Sequence, residues 1–294
     1  MRVALVSNAA AGRGRATVAR ERVRAALGRA GIEAVEFGVD DGWADAVAAM
    51  RAVVAVGGDG TVRSVAARLA GGAVPLAIVP VGTENLAARA FGFRLGSERL
   101  AAAVRSGAVR RVDLGAIRRP GRPEHRFVVM MSAGFDADVV HALQSVRRGP
   151  ISHASYLGPI AATAWRWRAP GVTVRGDGMA GVAHWRGGVV VANAPEYALR
   201  LNPARRADPA DGMLDAVSLR CGSAAGVAGW FGRLLLAGPG ETASVGRAHA
   251  WRMRWDRPVR LQADGDPVPG GTSEEAEVVA LPGALPLVDV RPVA

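Results

Sequence analysis

At 294 residues, with 50% apolar and 21% charged residues, the chain has a globular rather than a disordered profile, room for two domains of ordinary size and enough mass for a large core. The net charge of +11 is carried by arginine alone. None of the 37 cationic residues is lysine, which excludes a P-loop lysine or a Schiff base, and the excess points to a nucleotide, an anionic membrane or nucleic acid as partner. A single cysteine, Cys221, excludes an intramolecular disulfide and a cysteine-based metal site, and the five histidines stand at no ligand spacing.

The apolar run Val3-Ala4-Leu5-Val6 predicts a buried strand ending in Ser7-Asn8. A polar loop, Ala11-Gly12-Arg13-Gly14-Arg15, follows and sets two cations near anything anionic. Val18, Val23, Ala26 and Leu27 mark the apolar face of a helix over residues 17–27. A strand over 32–37 and a helix over 43–50 come next, then the run Val53-Val54-Ala55-Val56 and the sequence Gly57-Gly58-Asp59-Gly60-Thr61. Glycines let backbone approach an anion and adopt positive φ. The helix expected from residue 62 to about 69 presents N–H groups and a positive dipole end there. An aspartate in such a loop repels phosphate unless it orients a metal, an arginine or a hydroxyl, which makes Asp59 a candidate working residue.

The pattern repeats at once. Residues 75–80 read as a buried strand running into Val81-Gly82-Thr83-Glu84-Asn85-Leu86, with a helix over 87–90. In an open α/β sheet ligands bind at the carboxyl edge of the strands. Three polar, Gly-containing loops on that edge argue for a nucleotide, with Asn8, Arg13, Gly57, Gly58, Asp59, Gly60, Thr61, Gly82, Thr83 and Asn85 as its binding residues. A helix over 100–104 and a crossing strand over 109–117 complete a βαβα pattern, that of a doubly wound, parallel domain.

After about residue 116 the texture changes. Strand-like segments stand at 126–132, 171–175, 187–193, 213–219, 258–262 and 276–281, helical ones at 137–145, 151–168 and 223–236, and a short strand at 287–290. The Pro/Gly/Arg stretch 118–123 reads as an exposed hairpin or linker. The second domain is therefore mainly β.

The ordered set Asn8 with Gly12, Gly57 to Thr61, Pro80 with Gly82-Thr83 and Asn85, Ala133-Gly134-Phe135-Asp136-Ala137, Asn193, Pro203, Asp211-Gly212-Met213-Leu214-Asp215 and Asp264-Gly265-Asp266-Pro267 resembles the diacylglycerol kinase-like catalytic family, which includes bacterial lipid kinases and sphingosine and ceramide kinases. The resemblance covers almost the whole chain. It implies a fold of an α/β N-terminal domain, similar to NAD kinases and diacylglycerol kinases, plus a mainly β C-terminal domain. Its boundaries are 1–116, with the tail 283–294 returning to it, and 117–282 for the lipid-binding part. It also implies ATP and Mg²⁺ as cofactors and a lipid alcohol as substrate, such as diacylglycerol or a sphingoid base. Asp266 becomes the general base, one methylene shorter than the glutamate usual there, and Asp264 its fallback. Beside that role stands the plainer one of a polar Asp-Gly hairpin turn. Asp59 organises the Mg²⁺–phosphate end. The loop Asp208-Pro209-Ala210-Asp211-Gly212-Met213 resembles one that holds a structural Mg²⁺ through Asp211 and the carbonyls of Asp208 and Met213, a hard-oxygen set suited to that ion, or else is an acidic turn.

The chain departs from the family where Asn8 lacks a following proline, where Ser64-Val65 replaces Asn-Glu, at Leu86, and at Ala194-Pro195-Glu196-Tyr197 in place of a glycine cluster. An NAD kinase and a non-catalytic nucleotide- or lipid-binding protein of the same fold stand as alternatives. The arginines are dispersed with no aromatic-basic platform, so nucleic acid is not an expected partner. A homodimer stays open. The N-terminus leads directly into a strand and no apolar run is long enough to span a bilayer, which predicts a cytoplasmic protein. Trp165-Arg166-Trp167-Arg168, Trp185-Arg186 and Trp230-Phe231 with Arg233 suit a headgroup interface or are core tryptophans beside solvated arginines; the former reading adds a peripheral contact with the anionic inner membrane face. Trp251 and Trp255 alternate as packing residues do.

Overall fold

The computed structural model describes residues 1–8, 15–146, 157–223, 225–227, 229 and 244–291. The chain folds as two compact units, Met1–Val112 with Gly283–Ala294, and Asp113–Pro282.

The first unit runs β1 (Arg2–Ser7), α1 (Arg15–Arg29), β2 (Glu33–Gly38), β3 (Val53–Gly57), α2 (Asp59–Leu69), β4 (Leu76–Pro80), α3 (Leu86–Ala90), α4 (Ser97–Ser106) and the beginning of β5 (Val109–Arg118). Its strands lie in the order β2-β1-β3-β4, all parallel, and the end of the chain's last strand adds a fifth through Leu287 paired with Leu76. Val3 to Val6 and Val53 to Val56 are wholly buried. That is why they read as unbroken apolar runs: parallel strands carry helices on both faces. The chain leaves β1 for β2 on one side and returns to β3 on the other, so the topology reverses between β1 and β3, where open α/β sheets bind ligands.

Residues 43–50 form only a 3-10 turn over Ala46–Ala49, not the helix the pattern predicts. The Asp41 carboxylate accepts the Gly38 N–H at 2.6 Å and turns the chain early. Trp43 is then buried with its indole N–H donating to Val39 O at 3.3 Å and the Arg68 guanidinium 5.2 Å over its ring.

The second unit contains β6 (His125–Phe127), β7 (Met130–Ala133), α5 (Phe135–Val146), α6 (Leu157–Arg166), β8 (Gly171–Gly176), β9 (Ala183–Arg186), β10 (Gly188–Ala192), β11 (Leu214–Leu219), β12 (Ser244–Ala248), β13 (Ala250–Val259), β14 (Leu261–Ala263), β15 (Asp266–Pro267) and β16 (Ser273–Val288). One antiparallel sheet has the order β12-β11-β10-β7-β14-β15; a second array runs β16-β13-β8-β9. Their inner faces supply one core, in which Met131, Val189, Val191 and Leu261 meet Val172, Val174, Trp251 and Met253. This is a sandwich, and Trp251 and Trp255 are buried in it as their alternation predicts.

Gly115 to Ile117 pair with His125 to Phe127, so the Pro/Gly/Arg stretch is the turn of a hairpin. The strand expected over 126–132 is two strands, one in each sheet, broken after Phe127. The one expected over 258–262 is the end of β13 and the start of β14, with Arg260 at the corner, and β9 went unpredicted. The segments expected at 276–281 and 287–290 form one strand, β16, bent at Gly283 (φ +57°). Residues 151–156 of one expected helix, and most of the helix expected over 223–236, lie outside the described residues.

Candidate active site

In the first unit the register sets Ser7 beside Val56 and Gly57 beside Pro80, so Asn8, the Gly57-Gly58 pair and the Val81–Asn85 segment leave the sheet along one edge. α2 starts at Asp59, one turn earlier than expected, with Gly58 as its N-cap. None of Gly57, Gly58, Gly60 and Gly82 has a positive φ. What three of these glycines supply is closeness. A Cβ on Gly82 would stand 2.7 Å from Gly58 Cα, and a Cβ on Gly57 would stand 2.4 Å from the Cβ of buried Thr61. The two loops therefore touch backbone to backbone, and the Thr61 side chain fills the space under Gly57 instead of reaching outward.

Asn85 sits in left-handed conformation (φ +51°) and closes its loop by two reciprocal bonds. It accepts the Gly82 N–H on Oδ1 and donates from Nδ2 to Gly82 O, each at 2.8 Å. Asp59 Oδ1 accepts the Ala87 N–H at 3.0 Å, tying the first turn of α2 to the start of α3. Asn85 and Asp59 thus shape the edge before any ligand arrives. Thr83 is exposed on it and Asn8 half-buried. Arg13 lies outside the described residues; Arg15 opens α1.

In the second unit, Asp264 and Gly265 form a two-residue hairpin turn between β14 and β15, with Gln262 opposite Pro267 and Ala263 opposite Asp266. Their φ values, +51° and +86°, fit a turn requiring positive φ at both positions. Asp264 is 5% exposed, and its carboxylate accepts the N–H groups of Val128 at 2.8 Å, Val129 at 2.8 Å and Met130 at 3.1 Å. It is a structural clamp on the break between β6 and β7. Buried Asn193 grips the same segment, donating from Nδ2 to Val128 O at 2.8 Å and to Asp113 O at 2.9 Å. Asp266, half-buried, opens β15 directly beyond the turn.

In the acidic loop the carboxylates of Asp208 and Asp211 have partners within the protein. Asp211 accepts the Met213 N–H on Oδ1 at 2.9 Å and is ion-paired through Oδ2 with Arg247. Arg247 also lies 3.4 Å from Asp215 Oδ2 and opposite it in the strand register. Asp208 caps its own turn, Oδ1 accepting the Ala210 N–H at 3.1 Å. The positive charge beside Asp211 is a guanidinium, so the Mg²⁺ expectation for Asp208, Asp211 and Met213 carries no step below. Burial pushes the Asp215 carboxyl up to about 6, against the pull of Arg206.

The chain resembles known proteins along its length. Residues 2–117 match the family model described as diacylglycerol kinase catalytic domain. A Mycobacterium tuberculosis protein named diacylglycerol kinase is 29% identical over 302 residues, covering 99% of this chain and 96% of that one. A Pseudomonas aeruginosa protein named probable lipid kinase YegS-like is 30% identical over 305 residues, covering 92% of this chain and 93% of the relative. The chain belongs to the diacylglycerol kinase family. The crystal structure of a putative diacylglycerol kinase from Bacillus anthracis shares the kinase fold, with a TM-score of 0.71 over 98% of this chain and 96% of that one at 19% identity.

One residue of this family member had no sequence signal. Gln262, 1% exposed, accepts the Gly265 N–H on Oε1 at 2.9 Å. Its Nε2 donates to Ser132 Oγ at 2.8 Å and Asp136 Oδ2 at 3.0 Å. Asp136 was legible only as part of a motif; burial raises its pKa, opposed by hydrogen bonds from Ser132, Tyr197 and Gln262. The tryptophan clusters separate. Trp185 is core, its N–H donating to Gly188 O at 2.8 Å. Trp167 donates to Cys221 O at 2.9 Å and packs edge-on against Phe135. Trp165 is 88% exposed. Trp230, Phe231 and Arg233 lie outside the described residues. Among the described residues no helix is long and apolar enough to cross a membrane.

Proposed function

We propose that this kinase-family chain transfers the γ-phosphate of ATP to the hydroxyl of a lipid alcohol: diacylglycerol, a sphingoid base or a related lipid. The backbone contact of Gly58 with Gly82, at the carboxyl edge of the neighbouring strands β3 and β4, carries the reading. It leaves no side chain between the two loops, and the N-terminus of α2, with its positive dipole end, opens beside it. Phosphates are bound there by backbone N–H groups, with Asn85 holding the second loop in shape and Asp59 fixed by Ala87 to orient the metal–phosphate end. Mg²⁺, when bound with ATP, neutralises charge on the phosphates. Asp266 accepts the proton of the acceptor hydroxyl as its oxygen bonds to the γ-phosphorus and the bond to ADP breaks. The names of the curated relatives support the lipid acceptor.

A lipid substrate is met at a membrane surface. α6 carries no charged residue from Leu157 to Trp165, and exposed Trp165 is followed by exposed Arg168. Trp beside Arg at the end of an apolar helix supports peripheral docking on an anionic bilayer.

Incubation with Mg²⁺-ATP and vesicles of total lipid extract, read by mass spectrometry, tests the proposal. A new phosphorylated lipid is expected. ATP binding without any product overturns it in favour of a binding protein, and phosphorylation of NAD instead favours the NAD kinase reading.

A further inference from the structure

The Asp264-Gly265 turn is held from both sides. On one side the Asp264 carboxylate takes three backbone N–H groups from residues 128–130. On the other the side chain of Gln262 takes the Gly265 N–H. A backbone N–H can only donate, so the Gln262 atom facing it is the carbonyl oxygen and the amide nitrogen must face Ser132 and Asp136. Ser132 Oγ also donates to Asp136 Oδ2, at 2.6 Å, which closes a triangle of side chains. Ser132, Gln262 and Asp264 are 0%, 1% and 5% exposed. Their bonds therefore form away from water, and a deleted partner leaves a buried group unpaired.

We infer that Gln262, oriented by Asp136 and Ser132, is a positioning residue for the catalytic turn: it fixes the Gly265 peptide and through it the place at which Asp266 enters. This rests on the reading of Asp266 as general base. Gln262 is the polar residue of strand β14, between buried Leu261 and Ala263, and its side chain is used in bonds to Ser132, Asp136 and the Gly265 N–H. The turn itself needs only Asp-Gly. What Gln262 adds is one acceptor for the Gly265 N–H, while the Asp264 N–H donates to Met130 O, and a rigid link from the turn to α5. A base displaced by about 1 Å loses about a hundredfold in rate.

The test compares Gln262→Leu, the exchanged pair Gln262→Glu with Asp136→Asn, and Asp266→Ala, each in the full chain. The exchange keeps an acceptor toward Gly265 and reverses the donor between positions 262 and 136. Lipid phosphorylation, ATP affinity, thermal stability and hydrogen exchange of the Gly265 amide are measured. Gln262→Leu is expected to lower kcat about a hundredfold with KM for ATP within about twofold, and to speed exchange at Gly265. The exchanged pair is expected to recover most of the rate and the protection, which a purely packing role does not predict. It also keeps the test readable if Gln262→Leu does not fold. Wild-type turnover in Gln262→Leu beside an inactive Asp266→Ala, or an exchanged pair that folds but recovers nothing, overturns the inference alone. Wild-type turnover in Asp266→Ala overturns the base assignment, and the inference with it.

Discussion

The carboxylate of Asp264 accepts the backbone N–H of Val129 at 2.8 Å, across 135 residues of chain. It takes the N–H groups of Val128 and Met130 as well, at the point where the chain passes from β6 to β7. Each buried donor left unpaired costs about 1–3 kcal/mol. Asp264→Ala is therefore expected to destabilise the protein by about 3 kcal/mol or more, and Asp264→Asn, which keeps the volume but loses the charge, by less. Chemical denaturation checks both; an unchanged midpoint for the alanine variant contradicts the clamp.

Gly82→Ala tests the phosphate edge. Its Cβ would stand 2.7 Å from Gly58 Cα and 2.9 Å from Asn85 Oδ1. Overpacking of this kind costs about 1–3 kcal/mol. The loops must part, and ATP affinity is expected to fall more than about tenfold. Calorimetric titration of ATP reads the effect, and unchanged affinity contradicts the assignment.

Asp215 predicts a pH dependence. Burial raises its carboxyl from the ordinary 3.8 to about 6. A carboxyl whose pKa is higher in the folded chain stabilises the fold when protonated. That contribution is whole below the ordinary value and is lost as pH rises toward 6. Stability is expected to fall across that window, and Asp215→Asn to flatten that part of the curve. Burial also raises Asp136 and Asp138, which act with the same sign, so the difference between wild type and Asp215→Asn is the quantity to measure.

The parallel unit was legible because its strands are buried on both faces: Val3 to Val6 and Val53 to Val56 contain no polar residue, and the Gly57-Gly58 pair after the second marks the edge. The break after Phe127 was not, because Phe127 to Met131 is apolar throughout; what breaks it is Asp264, more than a hundred residues away. Gln262 failed for the same reason, since its partners Ser132 and Asp136 meet it only in the folded chain. The Asp-Gly pair was readable both as a turn and as a catalytic segment. In the structure Asp264 is buried in the turn and Asp266 stands beyond it. The tryptophans carried too little local information, since Trp185 and Trp165 both neighbour arginine and one is core while the other is exposed.

Trp165→Ala is expected to weaken sedimentation with anionic vesicles several-fold while stability stays within about 0.5 kcal/mol, as for other surface substitutions. Because Trp165 is 88% exposed, a large loss of stability would contradict its place on the surface. Undiminished vesicle binding would contradict its role in docking.

The most direct measurement is lipid phosphorylation by Asp266→Ala, with its ATP affinity and thermal midpoint recorded beside those of the wild type. A folded variant that binds ATP normally and has lost turnover by a factor of about 10²–10⁴, the range of a general base, is the expected result. A folded variant that phosphorylates lipid at the wild-type rate would contradict it.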